Sequence, residues 1–128
     1  MMDSMVRGYG GQPSGFRAAQ EELLPLLPSE YFQRQCFVAD STMTRRQIEM
    51  RHAIGVPQML WGSDFPHQEG MWPHTRRFIR TLFEGVPGPE MKAILGENFM
   101  RAYKLDRAVY APLVARIGPT IKELLEAA

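Results

Sequence analysis

Two short apolar runs, Cys36-Phe37-Val38-Ala39 and Gln58-Met59-Leu60-Trp61, stand on either side of one helix-length segment, and this spacing leaves few ways to fold. Each run is rich in residues that suit a pleated surface, which predicts two buried strands. Asp40-Ser41-Thr42 offers three N-caps after the first run, and Met43, Ile48, Met50 and Ile54 then fall in a helical window that Gly55 closes. Pro57 opens the second run and Gly62-Ser63-Asp64 ends it. Two strands joined through a helix must run parallel, and their crossover is expected to be right-handed. Beyond a loop from Phe65 to Pro73, Phe78-Ile79 and Leu82-Phe83 recur four residues apart with Arg76, Arg77 and Arg80 on other faces, so a further helix runs to Gly85. The expected class is α/β.

The flanking segments read as helices and loops. Gly8, Gly10, Gly11, Pro13 and Gly15 predict a loop, and without a preceding strand or a G-x-x-x-x-G-K-[ST] spacing it is no phosphate loop. Phe16, Ala19, Leu23 and Leu24 have helical spacing, which Pro25 and Pro28 end, and Ser29 can cap the next short helix. Met91, Ile94 and Leu95 share a face of a helix starting at Pro89-Glu90; Gly96 is expected to interrupt it before Phe99, Ala102, Tyr103 and Leu105 resume the period. Thr120-Ile121-Lys122-Glu123 has the spacing of a capping box leading into Leu124 and Leu125.

Charge excludes some partners. Fifteen Lys and Arg against 14 Asp and Glu leave a net charge of +1 with no basic stripe, so neither nucleic acid nor an anionic membrane is an expected partner. A length of 128 residues suits one domain with a core of its own. The single Cys36 rules out an internal disulfide and is expected to be a small buried apolar residue in a reducing compartment. No apolar run approaches the ~18 residues of a membrane span, and the first residues lack the apolar core of a signal peptide, so a cytoplasmic location is expected.

Reactive side chains crowd just past the second strand: Trp61-Gly62-Ser63-Asp64-Phe65-Pro66-His67, then Glu69, Trp72 and His74. Parallel α/β sheets bind ligands at the carboxyl ends of their strands, where Asp64 stands. A carboxylate there can ligate a metal or act as a general base, but an Asp in such a loop also serves as a turn or cap residue. His67 and His74 can join it as metal ligands, or be solvent-exposed or capping residues. His52 shares its helix with Arg45, Arg46 and Arg51, which disfavours a cation nearby and makes it structural. Trp61 belongs to the core; Trp72 either lines a pocket or is a loop aromatic. Ser63 has no G-x-S-x-G setting and is no nucleophile elbow.

The stretch Trp61-Gly62-Ser63-Asp64-Phe65-Pro66-His67 resembles the amidohydrolase-related family of metal-dependent hydrolases and decarboxylases, which includes aminocarboxymuconate-semialdehyde decarboxylase and aromatic-acid decarboxylases. Further stretches resemble it in the same order: Pro28-Ser29-Glu30-Tyr31-Phe32 leading to Gln35-Cys36-Phe37, Arg51-His52-Ala53-Ile54-Gly55-Val56, Trp72-Pro73-His74, and Ile94-Leu95-Gly96-Glu97-Asn98-Phe99-Met100-Arg101-Ala102-Tyr103. The resemblance covers about Leu27 to Asp106. It implies a partial (β/α)8 TIM barrel, helix-rich, with Gln35 to Ala39 as the seventh strand and Met59 to Trp61 as the eighth. Residues 27–106 are then the C-terminal part of the barrel, 1–26 an N-terminal loop and helix segment, and 107–128 a C-terminal helical tail. It implies that Asp64 is a metal ligand or the catalytic acid/base, with His67, Trp72 and His74 as substrate-pocket candidates and Asn98 a structural residue bonding to backbone.

The family's His-x-His pair has no counterpart, and no histidine precedes His52. One carboxylate cannot hold a catalytic zinc, which takes three protein ligands. The resemblance therefore implies the C-terminal fragment of a metal-dependent hydrolase or decarboxylase of small molecules, inactive alone. A divalent metal, zinc, would bind only if the missing N-terminal ligands are supplied, whether the chain is a truncated product, one half of a split enzyme or a piece that works with an N-terminal partner chain. The alternative is a non-catalytic interaction module, a homo-oligomer or a subunit that associates with an N-terminal half.

Overall fold

The structure is a computed structural model that describes Asp3 and residues 26–125. It divides into two units, residues 1–37 and 38–128. The expected helix from Phe16 to Leu24 lies outside the described residues.

In the first unit, helix α1 spans Pro28–Gln35. Leu27, not Ser29, occupies its N-cap, because Pro28 fits the first helical position, where an N–H is not needed. Glu30 reaches back to accept from the Leu27 N–H at 2.7 Å. Ser29 instead donates its N–H, at 2.9 Å, and its hydroxyl to the Asp3 carboxylate. Cys36 is exposed, against the expectation of a buried thiol.

The second unit is helix-rich α/β around a two-stranded parallel sheet. Strand β1, Val38–Asp40, pairs with β2, Met59–Trp61, in the register Val38 to Met59 and Asp40 to Trp61. The parallel pairing is the one expected, but β1 starts two residues later than the run Cys36 to Ala39 and is not buried: Val38 is 38% exposed. Met59 and Leu60 of β2 are buried as expected. Among the described residues no third strand pairs with the outer edge of β1, which leaves backbone groups open there, and the side chains of Val38 and Ala39 are exposed.

The connection between the strands is two helices, α2 at Arg45–Glu49 and α3 at Arg51–Ile54, broken at Met50, rather than one. Its cap is Thr44, whose side chain accepts from the Gln47 N–H, while Gln47 Oε1 accepts from the Thr44 N–H at 2.5 Å. Asp40 does not cap this helix: its carboxylate accepts from the Thr42 N–H at 2.8 Å and from Gln47 Nε2 at 2.6 Å, locking the turn after β1. Gly55 ends α3 at φ 108°, a backbone that costs glycine little.

Helix α4, Thr75–Leu82, puts Ile79 and Leu82 into the core with Phe83, which is fully buried. Phe78 is 52% exposed, so the inward stripe follows 79, 82 and 83. Helix α5, Gly88–Lys92, continues through a widened π turn, Ala93–Glu97, into α6, Asn98–Ala102. Gly96 thus does not break the helix; the turn around it widens instead. Helices α7, Arg107–Ile117, and α8, Ile121–Leu125, complete the unit. The expected capping box is formed: Glu123 accepts from the Thr120 N–H at 2.7 Å, and Thr120 Oγ1 accepts from the Glu123 N–H at 3.2 Å.

The core joins Met43, Ile48, Met59, Ile79, Phe83, Met91, Ile94 and Leu124, with Trp61 packed against it. Asn98 is a buried polar residue, 6% exposed, donating from Nδ2 to Val56 O at 2.8 Å and Met59 O at 2.9 Å. This is the backbone-bonding role expected of it. One ion pair fastens α3 to α5, Arg51 Nε to Glu90 Oε2 at 2.5 Å, and His52 Nε2 stands 3.6 Å from Glu90 Oε1.

Burial raises the pKa of Asp40, but the Thr42 N–H, the Gln47 amide and the Thr42 hydroxyl outweigh it and hold the carboxyl below its ordinary value. A depressed folded pKa contributes stability that is present above the ordinary carboxylate range near pH 4 and lost as pH falls through the lower folded value. Thermal melts of Asp40→Asn are therefore expected to show less loss of Tm than wild type between about pH 5 and pH 3. Identical acid profiles would contradict the assignment.

Candidate functional site

Asp64 lies three residues past the last residue of β2, beyond the carboxyl end of the strand. Its backbone lies in the left-handed region at φ 55°, which few residue types but Asn and Asp tolerate without glycine. From there the loop folds on itself: His67 N–H donates to Asp64 O at 2.7 Å, Gly70 N–H to His67 O at 3.0 Å, and Met71 N–H to Ser63 O at 3.3 Å. Buried Met71 anchors the returning end.

The turn brings two of the expected residues together. His67 Nδ1 stands 3.3 Å from Asp64 Oδ2, and the same nitrogen lies 3.4 Å from the Glu69 N–H. The Asp64 side chain is 38% exposed and that of His67 62%, so the pair is open to solvent. Trp72, 67% exposed, meets Phe65 edge to face at 5.9 Å between ring centroids. His74 is not gathered into this group by any capping or ligating geometry: it sits at the N-cap of α4, exposed, without a side-chain capping bond. Phe65–Pro66 and Trp72–Pro73 are cis peptides. Among the described residues no three of His, Cys, Asp or Glu are grouped to hold a metal ion.

Two contributors escaped the sequence reading. Phe65 stands at the start of the expected loop but not among the expected site residues; it completes an exposed aromatic pair with Trp72, a contact that no spacing in the sequence marks. Gly70 has a steric reason: a Cβ there would stand 2.9 Å from each of the Ser63, Asp64 and His67 carbonyl oxygens. Three rigid backbone oxygens cannot yield as a side chain can. Gly70→Ala is therefore expected to open the loop and shift the amide resonances of residues 63–71, at a cost of about 1–3 kcal/mol. An unchanged spectrum with unchanged stability would refute this packing.

Trp61 departs from a simple core role. It is half-buried, and its Nε1 is buried with no hydrogen-bond partner among the described residues. A buried donor left unpaired costs about 1–3 kcal/mol.

No known protein-family model matches the chain, and no curated protein matches it.

Proposed function

We propose that the chain is the C-terminal part of a (β/α)8 barrel of the amidohydrolase-related kind, contributing Asp64 to a hydrolase or decarboxylase site whose other groups lie on strands outside it. The observation that carries this reading is the place of Asp64: an exposed carboxylate just beyond the carboxyl end of the second of two parallel strands, in a loop tied to it through His67. That end is where parallel α/β sheets bind their ligands. Among the described residues β1 has an open edge and Trp61 Nε1 has no partner, which supports the reading, since both ask for a neighbouring element.

The chemistry available to this chain alone is proton transfer. An exposed carboxylate beside an imidazole can accept a proton from a substrate or water and return it. Phe65 and Trp72 offer an apolar surface next to it. The residues present do not fit a catalytic zinc, which needs three protein ligands where the loop gathers one carboxylate and one imidazole.

Metal analysis of the purified full chain after incubation with zinc and gel filtration tests the reading. The expected content is far below one zinc per chain, and unchanged in Asp64→Asn. A stoichiometric zinc lost in Asp64→Asn would show a complete metal site within the chain and overturn the assignment of its ligands to other strands.

A further inference from the structure

Between the end of α6 and the start of α7 the surface opens into a hollow of about 500 Å3. Three cationic side chains line it, Arg101, Lys104 and Arg107, against the single carboxylate of Glu97. That carboxylate is already matched twice, by Lys92 Nζ at 3.3 Å and Arg107 Nη2 at 3.0 Å. Arg101 is held in place by its bond from Nη2 to the Pro57 carbonyl. Among the described residues the Lys104 ammonium has no hydrogen-bond or ion-pair partner.

The backbone of Lys104 is also unusual for its residue type. It turns the chain out of α6 at φ 52°, with Lys104 N–H donating to Arg101 O at 3.2 Å and Leu105 N–H to Met100 O at 2.8 Å. Glycine is the residue that takes this helix-ending position at least cost. A lysine in a left-handed backbone, exposed at a cationic hollow, stands where glycine would cost less. The hollow is separate from the Asp64 loop: Asn98, which also lines it, holds the start of β2, and Asp64 follows the end of that strand.

We infer that this hollow binds a small tetrahedral oxyanion of the phosphate or sulfate kind, with Lys104 as its main charge and the Arg101 and Arg107 guanidinium groups flanking it. Guanidinium forks match such oxyanions in pairs of hydrogen bonds, and an ammonium acts as a point charge beside them.

The test is a titration of inorganic phosphate into the isotope-labelled full chain at constant ionic strength, followed by NMR. Saturable amide shifts confined to residues 97–108 are expected, with acetate binding about tenfold more weakly. Lys104→Gly suits the backbone, so its Tm is expected to equal or exceed that of wild type while phosphate affinity falls about tenfold. Lys104→Asn, which also tolerates this conformation, is expected to lose affinity likewise. Non-saturating shifts spread over the surface lysines, acetate binding as tightly as phosphate, or wild-type affinity in both variants would overturn the inference.

Discussion

Asn98→Ala is expected to lower the unfolding free energy by about 2–4 kcal/mol, read as a drop in denaturation midpoint with little change in slope. The Asn98 amide serves two carbonyls at once, Val56 O and Met59 O, on either side of the turn that leads into β2. Removing it strands both acceptors and leaves a void where the side chain was. Asn98→Asp, close in shape but without the amide donor, should be nearly as damaging, because it sets a carboxylate against two carbonyl oxygens. A loss below about 0.5 kcal/mol in both variants would mean that water replaces the amide, and that the start of β2 is not held from α6.

Phe83→Ala should cost still more, about 3–5 kcal/mol. Phe83 is fully buried in the cluster that also contains Ile48 and Met91, so it ties α4 to the elements beneath it. Small domains keep only about 5–15 kcal/mol in hand, so this variant should lose a large share of its stability. Circular dichroism with denaturant titration gives the value. A midpoint within error of wild type would contradict the packing.

The parts that could be read in the sequence are those whose signal is local. Met59 to Trp61, flanked by Pro57 and Gly62, forms the expected strand, and the Thr120 to Glu123 spacing gives the expected box. The cap of α2 was legible but missed: Thr44-Arg45-Arg46-Gln47 has the right spacing, and Asp40, Ser41 and Thr42 competed with it. The exposure of Cys36 and Val38 was not legible, because burial of an apolar run depends on which elements come to cover it. The tie between Asp64 and His67 lay between the two cases. Both were visible as candidates, but their contact depends on a turn closed by backbone bonds and on a glycine, Gly70, that carries no periodic signal.

The barrel reading rests on Asp64 meeting groups from strands outside this chain. Reading the coding DNA immediately upstream of the first codon tests this most directly. The account predicts an in-frame or adjacent segment that encodes a strand carrying a His-x-His pair, followed by alternating strands and helices. An upstream region encoding no such segment would contradict it.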